Sequence, residues 1–309
     1  MDFNQAKVSF LDHCLYEKKL SSKTIEFYTI DLDQFLRFLM TLDMEIEISG
    51  ISKEEIKLYL KQISVFKPKT IKRKLATLKA LFNYLEFEDY ITINPFRKMR
   101  IKIKEPKVNP TVMDASEVKS IFKAAYKDRE EAPDNEQLWL KYRDIALIEL
   151  LFATGMRVSE LTSLKRDQIN LETGRIRIFG KGSKERVIQV FNPETLKAIR
   201  EYVLMSTVSM KEEGFFFINR LHSGLSDQTV RHVIRKFTAL ANLQKHITPH
   251  TFRHTFATLL LEADVDIKYI QHFLGHSSIA TTQIYTHVST NKQKQILTEK
   301  HPRNAFEFR

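Results

Sequence analysis

A single cysteine, Cys14, is all that 309 residues contain, which excludes an intramolecular disulfide and any cysteine-based zinc site and favours a reducing compartment. No apolar run approaches the ~20 residues a membrane-spanning helix needs, and no basic-then-apolar leader stands at the start, so the expected location is cytoplasmic. None of the eight glycines builds a Gly-x-Gly-x-x-Gly turn. The "GKGS" at 180–183 fails as a phosphate loop: five residues separate Gly174 from Gly180, and Gly182 stands where serine or threonine should follow the lysine. Neither an ATP site nor a dinucleotide site is implied. Internal repeats and low-complexity stretches are absent as well.

Positive charge, by contrast, is in excess. Lys and Arg number 49 against 38 Asp and Glu, a net +11 that favours a polyanionic partner such as nucleic acid, with a merely solvated basic surface as the alternative. The length exceeds one compact domain and the hydrophobic fraction of 43% is enough for two cores.

The N-terminal part reads as a helical bundle. In "SSKTIEFYTIDLDQFLRFLM", Ile25, Tyr28, Leu32, Phe35, Leu36 and Leu39 recur at helical steps behind the caps Ser21 and Ser22. "SKEEIKLYLKQI" repeats the pattern, with Ser52 as N-cap and Glu55 as its capping-box partner. "KPKTIKRKLATLKALFNYLEF" carries an apolar stripe of Ile71, Leu75, Leu78, Phe82 and Leu85 and a second face of Lys69, Lys72, Arg73 and Lys79. No acidic residue lies between Lys67 and Lys79 to form spaced ion pairs, so phosphate contacts are expected there, a solvated lysine face being the plainer reading. "RKMRIKIKEPKVNP" then alternates basic and apolar residues without a helical stripe, and its Arg97, Lys98, Arg100, Lys102 and Lys104 suit an extended segment following a nucleic-acid backbone. The expected organisation is a helical DNA-binding domain at 1–97, a basic linker at 98–111 and a larger domain at 112–309.

The larger domain mixes periods. "DASEVKSIFKAA" opens a capped helix, and "KYRDIALIELLFATGMRVSELTSL" holds two helical runs broken at Thr154–Gly155. "GRIRIFGKGSKERVIQV" switches to period two: Ile176 and Ile178 alternate with Arg175 and Arg177, and Val187, Ile188 and Val190 resume after a basic tip. From Asp227 the pattern is helical again. The expected fold class is mainly α, a helical bundle followed by a mixed, mostly helical domain with a small antiparallel β-hairpin.

Residues 246–288 concentrate the chemistry: six histidines, one arginine and two tyrosines. His250 and His254 are four apart, as are His272 and His276, a spacing that raises zinc. Neither pair brackets the glutamate of an HExxH site, and Gly275 marks a helix end beside His276, so no metal is expected. Asp144, Glu149, Glu160 and Asp167 show no spacing that would gather them on magnesium. In "PHTFRHT", Pro249 opens a helix and puts His250 and Arg253 on one side, a guanidinium for phosphate oxygens beside an imidazole for a proton. A capping histidine and a surface arginine would read the same. Arg157 follows "ATG" at a helix start, with Glu160 three residues on to orient it. Lys181 at the hairpin tip, His276 after Gly275 and Tyr285 in "TTQIYTHV" are each ordinary alone. Together, two arginines, a lysine, two histidines and a tyrosine are the inventory for metal-free phosphoryl transfer through a tyrosyl phosphate.

"TGMRVSELTSL", "GKGSKER", "PHTFRHTFAT", "LGHSSIATTQIYTHV" and "HPR", in this order between about 142 and 303, resemble the catalytic boxes of the tyrosine recombinase (phage-integrase) family and are most similar to the Xer-type bacterial site-specific recombinases. "KTIEFYTIDLDQFLRFL" and "TIKRKLATLKALFNYL" resemble that family's SAM-like core-binding domain, while "DREEAPDNEQLW" at 128–139 departs from the compact Xer pattern. The resemblance implies a recombinase that cleaves and rejoins DNA through a covalent 3′-phosphotyrosine without metal, ATP or other cofactor, in chromosome or plasmid dimer resolution or in integration and excision of a mobile element. It makes Arg157 and Arg253 clamps on the scissile phosphate, Lys181 the acid for the leaving 5′ hydroxyl, His250 a proton-transfer group, His276 a donor to the phosphate and Tyr285 the nucleophile. The implied partners are double-stranded DNA with a specific recombination site, a homo- or heterotetramer on two sites, and an accessory protein. In the family the two domains clamp the duplex and a C-terminal segment passes between neighbours; the tail "NKQKQILTEKHPRNAFEFR" begins helically with Ile296 and Leu297 able to dock on a partner, and an intramolecular helix reads identically. A type IB topoisomerase-like DNA-relaxing enzyme and a non-catalytic architectural DNA-binding factor are the competing readings.

Overall fold

The computed structural model describes residues 1–42, 46–106, 111–133, 137–179, 185–206, 214–275 and 290–306. The chain divides into two compact units, Met1–Val108 and Asn109–Arg309. Among the described residues no helix is long and apolar enough to cross a membrane.

In the first unit, α1 (Phe3–Asp12) is fixed at its start by a capping box of Asp2 and Gln5 and runs on through one π turn, His13–Glu17. α2 (Ser22–Leu39) starts on Ser21, α3 (Lys53–Ile63) on Ser52 with Glu55, and α4 (Pro68–Phe87) on a proline, which gives up no helical hydrogen bond at that position. Their apolar faces share one core that includes Phe10, Leu32, Phe35, Tyr59, Leu78, Phe82 and Leu85. Buried Asp31 is tolerated beside it because Arg73 (2.5 Å), Lys74 (3.1 Å) and Thr77 (3.0 Å) all donate to its carboxylate. Beyond α4, Met99, Ile101 and Ile103 pack on this core while Lys98, Arg100, Lys102 and Lys104 between them are exposed. Such two-residue alternation is what an extended chain lying on an apolar surface requires.

The second unit is built on α5 (Ala115–Glu130), capped by Asp114 with Glu117, and α6 (Trp139–Thr154), which is buried on nearly every side. The 128–139 stretch begins in the last turn of α5 and ends on the first residue of α6: Asp128 accepts from Lys141 (2.9 Å) and Lys236 (2.5 Å), and Arg129 pairs with Glu201 (3.0 Å). α6 stops at Gly155, left-handed with φ 59°, where an added Cβ would lie 2.6 Å from the Phe256 ring and 2.8 Å from Leu274. After α7 (Val158–Ser163), β1 (Ile169–Asn170), β2 (Arg175–Phe179) and β3 (Glu185–Gln189) form an antiparallel sheet in that order. Ile176 pairs with Ile188 and Ile178 with Arg186, so the expected hairpin gains a short third strand. α8 (Pro193–Ser206), α9 (Asp227–Leu240), α10 (Pro249–Glu262), α11 (Ile267–Leu274) and α12 (Thr290–Glu299) complete the unit.

The tail packs on this same unit. Ile296, Leu297 and Phe306 are buried, and Arg303, 1% exposed, reaches the fully buried Glu149 of α6 through three contacts of 2.7–3.1 Å. The Tyr126 and Thr195 hydroxyls donate to the same carboxylate, each at 2.9 Å. Buried His301 has Nε2 2.7 Å from the Ala153 carbonyl, while its Nδ1 accepts from the Arg303 amide at 3.0 Å, which fixes the neutral tautomer with its proton on Nε2.

Candidate active site

Arg157 sits where α6 hands over to α7. Its amide donates to Glu160 Oε2 (2.7 Å) and its Nη1 to Glu160 Oε1 (3.0 Å), so one carboxylate caps the helix and turns the guanidinium; Nη2 reaches the Gly275 carbonyl at 3.3 Å.

Arg253 is brought in by the start of α10, which Thr248 caps and Pro249 opens. It is 5% exposed, and its Nη1 and Nη2 donate to the Gly155 and Leu274 carbonyls, each at 2.7 Å. Among the described residues no carboxylate pairs with it. Burial, followed by the charge of Arg157, lowers its pKa to about 10, with Glu160 acting in the opposite direction, so it stays charged at neutral pH. The two arginines thus hang from the adjacent carbonyls of Leu274 and Gly275.

His250 is exposed near the N-terminus of α10. Desolvation of the ring, then the charges of His254, Arg253, Arg231 and Arg157, push its pKa below the ordinary histidine value and leave a neutral imidazole able to take a proton at pH 7. His254, one turn on, is likewise exposed and lowered, by burial and by Arg253.

Glu160 is the hub. Arg186 from β3 grips it with a fork, Nη1 to Oε1 at 2.7 Å and Nη2 to Oε2 at 2.8 Å, and sends Nε to the Phe273 carbonyl at 3.2 Å. Burial works to raise the Glu160 pKa, but the Arg186 hydrogen bonds and the Arg157 amide outweigh it and the net shift is downward. Lys181, His276 and Tyr285 lie outside the described residues. In the chain they fall between β2 and β3, directly after Gly275, and ahead of α12.

In the first unit the basic residues divide into two groups. Lys72 pairs with Glu105 (2.7 Å), Arg73 with Asp31, and Arg97 with Glu86 (2.6 Å). Arg73 therefore finds on α2 the acidic partner that the Lys67–Lys79 stretch of its own helix lacks. Lys69, Lys79, Lys98, Arg100, Lys102 and Lys104 are exposed and form no ion pair among the described residues, although Lys79 lies 5.8 Å over the Phe96 ring. A groove of about 310 Å³ between α4 and the extended segment is lined by Lys72, Lys79 and Lys102 together with Leu75, Ile101 and Ile103.

Known proteins match along both units. The phage integrase family model covers residues 111–292, and the phage integrase N-terminal SAM-like domain covers residues 8–89. The chain belongs to the phage integrase family of tyrosine recombinases. It is 46% identical over 304 residues to a tyrosine recombinase of Agathobacter rectalis, with 97% of each chain covered. It is 37% identical to the tyrosine recombinase XerC of Thermodesulfovibrio yellowstonii, with 95% of each covered. Its fold resembles that of a XerH site-specific recombinase bound to a palindromic difH substrate, with TM-score 0.69, 22% identity, and 96% of this chain and 86% of that one covered. The chain is a DNA breaking and rejoining enzyme of Xer-like type.

Sequence reading of the recombinase passed over Arg186, although the signal was there. In a strand, residues two apart share a face, and Arg186 is two before the buried Ile188 and opposite the buried Ile178. An arginine on an inward face needs a buried acceptor, and Glu160 is it. The carboxylates weighed for magnesium are likewise engaged: Asp144 with Arg143 (2.6 Å), Glu149 with Arg303, Glu160 with two arginines. Among the described residues no three His, Cys, Asp or Glu side chains gather as metal ligands.

Proposed function

We propose that the recombinase exchanges strands at a specific DNA site through a covalent 3′-phosphotyrosine. Tyr285 Oη attacks phosphorus, the bond to the 5′ oxygen breaks, and Lys181 supplies the proton that leaves with that oxygen. Attack by a different 5′ hydroxyl reverses the step and releases the tyrosine. The phosphotyrosine ester preserves the energy of the broken bond, so neither ATP nor a metal ion is needed. Arg157 and Arg253 hold the non-bridging oxygens, His276 adds a donor, and His250 accepts the Tyr285 proton. The observation that carries this reading is the pair of guanidiniums anchored on adjacent carbonyls, one of them buried without a carboxylate: preorganised positive charge placed for an anion.

In this reading Lys69, Lys79, Lys98, Arg100, Lys102 and Lys104 follow the phosphate backbone, Lys72 and Arg97 exchange a carboxylate for phosphate on binding, and Arg73 stays on buried Asp31 and adds to the positive field. The reaction takes place on double-stranded DNA in the cytoplasm, in a homo- or heterotetramer on two sites, and serves dimer resolution or the integration and excision of an element. The test begins by selecting the site from a randomised duplex pool, then incubating a nicked duplex carrying it with wild type and Tyr285→Phe. A denaturing gel should show a protein–DNA adduct that the variant lacks. Tight binding with no adduct in either protein refutes the reading in favour of an architectural factor. Relaxation of plasmid lacking the site refutes it in favour of a topoisomerase.

A further inference from the structure

We propose that Arg186 is a positioning residue of the recombinase: by filling the forked face of Glu160 it keeps Arg157 free for phosphate and ties β3 to α7 and to the end of α11. The inference rests on the active site proposed above.

A carboxylate offers about four acceptor directions, and in Glu160 all are taken. Oε1 accepts from Arg157 Nη1 and Arg186 Nη1, and Oε2 from the Arg157 amide and Arg186 Nη2. The bidentate geometry, the strongest that a guanidinium and a carboxylate can adopt, belongs to Arg186. Arg157 is left with one side-chain bond to Glu160 and a long one to Gly275, and keeps its remaining donors. Two guanidiniums then share one carboxylate and Arg253 has none among the described residues, so the pocket retains excess positive charge for an anion. Take Arg186 away, and the vacated oxygens draw Arg157 into the fork, where its charge is cancelled.

The same side chain joins three places in the chain. It stands on the strand that follows Lys181, grips α7 through Glu160, and binds the Phe273 carbonyl at the end of α11, just ahead of His276. Gly275 makes room for it: a Cβ there would lie 2.9 Å from both Cδ and Nη1 of Arg186. Arg186 spends both Nη groups on a carboxylate, whereas Arg253, which is more buried still, spends its own on two neutral carbonyls and keeps its charge uncompensated, which separates Arg186 from that clamp. Lysine cannot substitute, since one ammonium does not span two carboxylate oxygens and a carbonyl.

The test uses full-length protein, the selected nicked duplex and single-turnover cleavage, for wild type, Arg186→Met, Arg186→Lys, Glu160→Gln and the double variant Arg186→Met/Glu160→Gln. Misplacing a clamp by about 1 Å costs ~10²-fold in rate, so Arg186→Met and Arg186→Lys should each lose on that order with DNA affinity retained. The double variant should cleave faster than Arg186→Met, because a neutral amide in place of the Glu160 carboxylate no longer captures Arg157. A purely structural anchor predicts the reverse, with the double at least as slow. Should Arg186→Met fail to fold, Arg186→Lys carries the comparison. Carboxylate NMR provides a readout independent of cleavage: the Glu160 pKa should rise in Arg186→Met. A wild-type cleavage rate in Arg186→Met, or a double variant slower than it, overturns the proposal. If wild type forms no adduct, the recombination reading fails separately and the Glu160 titration decides alone, an unchanged value overturning the role of Arg186.

Discussion

Replacing Arg303 by methionine should unfold the larger unit at markedly lower temperature. The substitution removes the cation from a carboxylate that is itself fully buried, leaving Glu149 with the Tyr126 and Thr195 hydroxyls. Stranding one partner of a buried ion pair costs ~3–5 kcal/mol. For a unit of this size each kcal/mol lowers the midpoint by ~2–4 °C, so the fall should be ~6–20 °C. Circular dichroism melts of wild type, Arg303→Met, Glu149→Leu and the double variant would measure it. Replacing both partners by apolar side chains also removes the stranded charge, so the double variant should recover most of the loss. A change below ~1 kcal/mol in Arg303→Met, the size seen for exposed pairs, would refute the reasoning, as would additivity of the two single variants.

Further outcomes follow from the same geometry. His301 has a folded pKa of about 4 against an ordinary 6.5, lowered by burial, so the unfolded chain takes up its proton first as pH falls. Its contribution is complete above about pH 6.5 and should shrink towards pH 4 by roughly 3 kcal/mol; urea midpoints at pH 7 and pH 5 should show the loss, and His301→Gln should flatten it. Arg253→Lys loses the fork that holds two carbonyls while facing phosphate, and single-turnover cleavage should slow by ~10²–10³-fold with site affinity nearly unchanged; a wild-type rate contradicts the clamp role. Lys79→Ala and Lys102→Ala should each reduce the salt dependence of DNA binding by ~0.9 in log–log slope. Arg73→Ala, whose cation already serves Asp31, should reduce it less, and equal slopes for all three would count against the division into paired and unpaired cations.

What could be read from the sequence was chiefly what is local in the chain. Ser21, Ser52 with Glu55, Asp114 and Pro249 begin their helices as the capping rules require, because a cap and its amides lie within a few residues. Arg157 and Glu160 are neighbours one turn apart, so their contact was legible too. Partnerships made across the chain were not. Arg73 and Asp31 belong to different helices, and Arg303 meets Glu149 from the far end of the second unit. α6 is buried almost all round, so its periodicity says nothing about which side meets which neighbour. The 128–139 stretch departs from the compact pattern in sequence, and two of its charges find partners that only the fold brings near: Asp128 meets Lys236 and Arg129 meets Glu201.

The end of α6 has a wider consequence. A helix leaves its last carbonyls without partners of its own, and here two of them are taken by distant groups: the tail's His301 on Ala153 and the catalytic domain's Arg253 on Gly155. Tail docking and the aim of Arg253, the proposed phosphate clamp, therefore draw on one helix end, two residues apart. By thermodynamic reciprocity, whatever tail docking adds to the affinity of that clamp for an anion, a bound anion adds to the affinity of the tail for its groove.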